Sequence, residues 1–224
     1  MEKLITVEGK PIPWVSNYAF DGNLNDLGTN QIAAASNYGD PTFTSDRNGN
    51  ANSSWKAPFA AGQHLNMPGY KGIGGDAKRS VTAWFRMEGG STTRHTIVSW
   101  GLNKQSQMFN VMINNGRIRL EAGSCSLFST KSGLDDGNWH HVAVTYDSAD
   151  GTFLSDVKIY IDGILSTNEA DAGASFGSET TTINTDSTTN FLKIGSEVYA
   201  SYAFDGAIDD VRIYSKALTA SEVK

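Results

Sequence analysis

The 224-residue chain carries one cysteine, Cys125, so no intrachain disulfide can form. A single thiol and four scattered histidines do not make a zinc site by the usual spacing. A lone Cys reads as a small buried hydrophobe and says nothing of compartment. Charge is also sparse: 19% of residues are charged, and the formal net charge of −6 is spread without long acidic blocks. No basic patch is visible, which argues against nucleic acid and against an anionic membrane surface as partners. No apolar run is long enough to cross a bilayer, so membrane insertion is not expected. Met1 to Val15 lacks the apolar core of a signal peptide. The chain is therefore read as not exported by that route, or as a module of a longer surface protein.

What is abundant points to β structure. Twenty-three glycines and a 39% hydrophobic share fit short strands joined by tight turns around a sizeable core. Val81, Ala83, Phe85 and Met87 alternate with Thr82, Trp84 and Arg86, the period of a strand. Thr96 to Trp100 and Met108 to Ile113 follow. Asn115-Gly116 then leads into Arg117 to Glu121, a strong hairpin signal, because a type I′ turn needs positive φ at both central residues. Trp139 to Tyr146, Val157 to Ile161, Ile164-Leu165, Phe191 to Gly195 and Ala207 to Tyr214 complete the series. The spacing predicts an all-β, antiparallel two-sheet sandwich forming one domain over residues 1–224. Asn37 to Gly75 and Glu169 to Asn190 resist the pattern and are expected to be rim excursions. Thr219-x-x-Glu222 has the form of a capping box and predicts a short C-terminal helical turn.

Tyr18 to Asp26 (YAFDGNLND) reappears as Tyr202 to Asp210 (YAFDGAIDD), identical at six of nine positions. The simplest account is that first and last strands lie side by side. Strand alternation puts Asp209 on one face with Val211 and Ile213. If that face is the core, its carboxylate must be paired, hydrogen-bonded or bound to a cation. Asp21, Asp26 and carbonyls around Gly22 could complete an oxygen-only calcium site with Asp209, since calcium takes about six to eight such ligands. The alternative is turn chemistry alone, Asp-Gly being a turn dipeptide.

Several segments resemble the LamG-like jelly-roll family, within the concanavalin A-like lectins and glucanases. These are Asp136-Gly137-Asn138-Trp139-His140-His141-Val142-Ala143-Val144-Thr145-Tyr146-Asp147, the Val157 to Gly163 hairpin, Leu192 to Gly195, and the closing stretch from Phe204 to Val223. The resemblance covers nearly the whole chain and is weakest from Asn37 to Gly75. It implies a concanavalin-like sandwich, commonly extracellular or at the cell surface, often an accessory module beside carbohydrate-active enzymes or in adhesins. It also implies a structural calcium near the N-terminal strand, with Asp209 at the matching position.

Hydrolases of this fold carry an E-x-D-x-x-E strand, and retaining hydrolysis holds two carboxylates about 5–5.5 Å apart. No two of the eight glutamates here have that spacing. His140 and His141 are adjacent on a strand, point to opposite faces and are read as structural. A non-catalytic, lectin-like module is the leading expectation, with glycan or polysaccharide as partner and calcium as a stabilising cofactor. The alternatives are a structural or adhesion module binding protein, in a surface protein or a virion such as a phage tail, and a glycoside hydrolase or lyase. Candidate ligand contacts are Trp55, Tyr70, Arg94, His95, Asn103, Tyr199 and Tyr202. Trp55, in an irregular polar stretch, is the foremost of these, though a loop Trp can equally plug a sandwich edge. Trp14, Trp84, Trp100 and Trp139 are read as core.

Overall fold

The computed structural model describes residues 14–60, 62–90, 92–199 and 201–223, plus the backbone of two short paired strands at Thr6–Val7 and Lys10–Pro11. The signal-peptide reading of Met1 to Val15 therefore falls almost wholly outside the described residues. Two eight-stranded antiparallel sheets lie face to face. Across the first run Ile164–Ser166, Lys158–Ile161, Trp139–Tyr146, Arg79–Met87, Asp205–Tyr214, Ser54–Pro58 and Thr42–Thr44, with Ser16–Tyr18 added against the Asp205–Tyr214 strand. Across the second run Asn168–Ala170, Ser126–Ser129, Arg117–Glu121, Met108–Asn114, Arg94–Gly101, Lys193–Ile194, Leu65–Asn66 and Ala35–Ser36. The hairpin turns form as expected: Asn115 and Gly116 sit at φ 51° and 67°, and Asp162 and Gly163 at 52° and 77°.

The expected rim excursion from Asn37 to Gly75 instead supplies three strands, and Trp55 lies in one of them, Ser54–Pro58. Its low apolar alternation conceals this, because the strand packs one large ring where others use several side chains. Trp55 is fully buried, donates its indole N–H to the Tyr38 hydroxyl at 3.0 Å, and abuts Gly195. A Cβ at Gly195 would enter the space of the Trp55 ring, and the residue sits at φ 81°, so the chain passes here only as glycine. Trp100 stacks on Phe109 at 4.7 Å in the same core.

Trp84 and Trp139 are not core, and Trp14 lies against a second, smaller hydrophobic cluster of Ala143, Tyr160, Tyr214, Leu218 and Val223. Val81, Ala83 and Phe85 face inward, so alternation turns Trp84 outward, and the pairing of Trp139 with Arg86 and of His141 with Trp84 does the same for Trp139. Each outward Trp is half-buried beneath an arginine: Arg212 over Trp14 at 5.6 Å, Arg47 over Trp84 at 4.7 Å, Arg86 over Trp139 at 5.4 Å. Cation–π contact and the stems of the arginines help to shield these rings.

The strand carrying the first copy of the repeat, Ser16–Tyr18, does pair with the last strand, Val211 with Tyr18 and Ile213 with Ser16. The repeated sequences nevertheless do different jobs. Tyr18 is sealed in the core, whereas Tyr202 is exposed, and Asp21-Gly22 lies in a loop where Asp205-Gly206 begins a strand. At the C-terminus one turn forms, with the Val223 N–H reaching the Thr219 carbonyl. Only the Glu222 half of the capping box is made, its carboxylate accepting from the Thr219 N–H at 2.8 Å while the Thr219 hydroxyl pairs with Ser221.

Candidate functional site

Burial removes several of the expected ligand contacts. Trp55 cannot stack on a ligand from inside the core. His95 is buried too: its ring nitrogens pair with the Ala203 carbonyl and the Thr93 hydroxyl, and Phe59 stacks on it at 5.5 Å. Its neighbour across the ladder, Ile113, is a core residue, so strand parity points His95 inward. Tyr70 packs against the core with its hydroxyl buried, and burial pushes that hydroxyl up to about 12. Asn103 is exposed in the turn after the Arg94–Gly101 strand.

The four residues expected to hold calcium do not converge. Asp26 spends both carboxylate oxygens on backbone N–H groups, those of Asn17, Gly28 and Ile32. Asp21 and Asp209 share a hollow with Asp46, Arg47, Asp210 and Arg212, and neither Gly22 nor Asp26 lines it. There the Arg47 guanidinium forks, one nitrogen 2.7 Å from Asp209 and the other 2.7 Å from Asp210. The remaining Asp209 oxygen accepts the Asp210 N–H at 2.7 Å, and Asp210 also holds Arg212 at 2.9 Å. The Asp46 oxygens accept from the backbone and side-chain amides of Asn48 and Asn50. Asp46, Asp209 and Asp210 thus spend their carboxylates on protein groups, while Asp21 is exposed at the rim of the hollow; a calcium ion here would have to displace Arg47. The parity argument also fails here. A β-bulge between Asp209 and Arg212, with Asp210 at φ 48°, inserts one residue. It turns Asp209 outward beside Trp84, while Ile208 and Val211 both face the core. Burial, then Asp210, pushes the Asp209 carboxyl up to about 8 against the pull of Arg47.

The outer face of the second sheet gathers polar chemistry. Phe109, Val111, Ile118 and Leu120 point into the core, which sends Asn110, Met112, Arg119 and Glu121 the other way. The register aligns Asn66, Lys193, Ser99, Asn110, Glu121 and Ser126 in one row across the sheet. Arg94 pairs with Glu121 at 3.5 Å, and Arg119 lies 3.4 Å from Glu121 and 3.3 Å from Asp171. At the rim Arg117 meets Glu169 at 2.6 Å and covers the Phe128 ring. The chain after Ile194 crosses this face: Ser99 donates to the Ser196 carbonyl, and Lys193 to the Val198 carbonyl. Glu197, in that segment, is buried, and burial followed by the nearby Glu121 raises its carboxyl. Burial lowers Lys193 and Arg119. Tyr202 closes the segment, 40% exposed, with Arg94 over its ring at 5.1 Å, and Tyr199 is 52% exposed.

Of the expected contacts, the fold thus brings Arg94 and Tyr202 together and sets Tyr199 in the same segment. Arg119, Glu121, Asn110, Lys193 and Glu197 were not singled out from sequence. The signal for three of them was available: Asn110, Arg119 and Glu121 are polar positions alternating with core residues along two long strands.

Asn110 is fully buried, yet neither end of its carboxamide has a hydrogen-bond partner, and the Thr96 hydroxyl and Arg119 Nε are likewise unpartnered. An unpartnered buried polar group costs about 1–3 kcal/mol. Asn110→Leu, which keeps the branched four-atom skeleton and is flanked on its face by the buried Met108 and Met112, is expected to raise the melting temperature. A fall in a thermal melt would show that water holds the carboxamide.

Two antiparallel sheets around one core, with a polar and aromatic outer face, define an all-β jelly-roll sandwich. The chain belongs to the concanavalin A-like lectin/glucanase superfamily, whose family model matches residues 59–224. Among solved structures it is similar to domain 4 of AbnA, a GH43 extracellular arabinanase from Geobacillus stearothermophilus, in complex with arabinotriose. That pair is 22% identical with a TM-score of 0.57, over 94% of this chain and 96% of the other. The binding domain of botulinum neurotoxin serotype G is 17% identical with a TM-score of 0.59, over 94% of this chain and 49% of the toxin domain. The serotype D binding domain is similar at 17% identity and a TM-score of 0.56, with the same coverage. No curated protein matches the sequence.

Proposed function

We propose that the protein is a non-catalytic carbohydrate-binding module, placed outside the cell or at a surface as part of a larger protein. The observation that carries this is the outer face of the second sheet. Tyr202 stands exposed there with the half-buried Arg94 over its ring, at the edge of a buried row of amides, carboxylates and guanidinium groups. Sugars need this mixture: an aromatic ring against C–H surface, and polar groups fixed in advance to meet hydroxyls. The arabinotriose held by the similar arabinanase domain supports a glycan as ligand class. Glu121 and Glu197 are the pair on this face that a hydrolase would use. Glu121 lies 3.5 Å from Arg94 and 3.4 Å from Arg119, and both it and Glu197 are buried, an arrangement that favours binding over attack on a substrate.

A protein-binding role draws on a different feature. The edge strand Ile164–Ser166 exposes Ile164 and Leu165 at 73% and 55%, an edge that a second chain could extend. A glycan and polysaccharide array with the purified protein separates the two. Binding to defined glycans without cleavage is expected, and Tyr202→Ala should weaken it about three- to tenfold, in the range of one aromatic contact. Silence across a broad array, with the protein folded, would move the function to the edge strand and a protein partner.

A further inference from the structure

We propose that the ligand is a short stretch of glycan held across the end of the sandwich, against the exposed rings of Phe59 and Tyr202, and not a long chain laid along the second sheet. The inference rests on the glycan-binding reading; it gives that site its extent and a second aromatic contact. Along the sheet, Ser99, Asn110, Glu121 and Ser126 are buried, so a sugar does not reach them. What is exposed lies where the Arg94–Gly101 strand begins. Arg94 and His95 are consecutive there and point to opposite faces. Tyr202 lies against the Arg94 guanidinium at 5.1 Å, and Phe59, 54% exposed, stacks on the His95 ring at 5.5 Å. The two rings therefore stand on either side of one strand end. Side chains on opposite faces of a strand end on the order of 10 Å apart, so a stretch of about two or three sugars spans both.

The fold fixes this end from both sheets. Pro58, just before Phe59, pairs with Asp205 in the first sheet, while in the second the His95 Nδ1 lies 3.1 Å from the Ala203 carbonyl, next to Tyr202. Both exposed rings are carried on left-handed backbone, Phe59 at φ 44° and Tyr202 at φ 52°. That region is costly for a bulky side chain and open to glycine. Phe20, at φ 53°, is also so placed, and there the ring is buried against Trp55. Core packing of that kind does not account for rings as exposed as Phe59 and Tyr202, and strain retained for an exposed group points to a ligand. Polar groups flank them. Thr93 is exposed, and Arg94 approaches Glu121 through one nitrogen at 3.5 Å, which leaves its other N–H groups to ligand hydroxyls.

The test is calorimetry of the full chain with a length series, monosaccharide through hexasaccharide, of a glycan that binds on the array. Affinity is expected to rise to the trisaccharide and then level off, because longer chains meet no further open surface. Phe59→Gly should weaken binding about three- to tenfold, the range of one aromatic contact, and Tyr202→Gly by a similar factor. In a thermal melt Phe59→Gly should be at least as stable as Phe59→Ala, since glycine accepts the left-handed backbone. The length series needs no variant, so it decides the matter even where a substituted chain fails to fold. Affinity that climbs through the hexasaccharide would overturn the inference and leave the glycan-binding reading standing. So would a folded Phe59→Gly that binds as the wild type does and melts below Phe59→Ala, the mark of a purely structural ring. Failure of the folded wild type to bind any glycan would overturn that reading itself.

Discussion

Arg47→Leu is expected to destabilise the fold by about 3–5 kcal/mol, because it removes one partner of a buried charge network and leaves the others in place. Arg47 alone bridges Asp209 and Asp210, whose side chains are 3% and 9% exposed, and its guanidinium also covers Trp84. Arg212 still reaches Asp210 in the variant, but Asp209 keeps only the backbone N–H of Asp210. The loss should depend on pH in a definite sense. A carboxyl whose folded pKa lies above its unfolded value gains stability as pH falls through the folded value. Asp209 already stands at about 8, and removing Arg47 raises it further. The deficit of the variant, read from urea unfolding, should therefore be greatest in alkali and shrink as pH falls through about 8, where the wild-type carboxyl takes up its proton. Exhaustive EDTA treatment of the wild type should leave its melt unchanged, since Arg47 occupies the place expected for a cation. A lower melt after chelation would restore calcium and displace this account of the hollow.

Trp55→Ala should cost a similar amount, about 3–5 kcal/mol, the range for removing a large aromatic from a core. Phe20 lies 6.3 Å from the Trp55 ring, Tyr38 accepts its N–H, and Gly195 packs under it. The cavity would open in the core between Phe20, Tyr38 and Gly195. Gly195→Ala probes the same contact from the other side, since an added Cβ meets the ring and the left-handed backbone is strained. Both variants should lose cooperativity and near-ultraviolet signal together in thermal unfolding. A Trp55→Ala protein of normal stability but impaired glycan binding would return Trp55 to the ligand.

The contrast between Trp55 and the other tryptophans shows where sequence reasoning stops. Alternation with Val81 and Phe85 put Trp84 outside, and a three-residue offset from Val142 put Trp139 outside; both could be read from the chain alone. Trp55 could not, because Ser54 and Lys56 give no apolar context and its burial comes from distant Phe20, Tyr38 and Gly195. The site divides in the same way. Arg94 and Tyr202 were recognisable as polar and aromatic groups outside clear core positions. Their meeting depends on the segment after Ile194 crossing the sheet, a contact between residues far apart in sequence.

The sequence by itself determined the all-β class, the long central strands, both type I′ hairpins and the family, because those features are written in local alternation, turn chemistry and ordered motifs. Only the tertiary structure decided which cation neutralises Asp209. One bulge residue reverses a face, and the matching guanidinium arrives from a segment 162 residues away. Only the tertiary structure, likewise, assembled Arg94, Glu121, Asp171 and Glu197 on one face, because strand register brings together side chains that no local pattern connects.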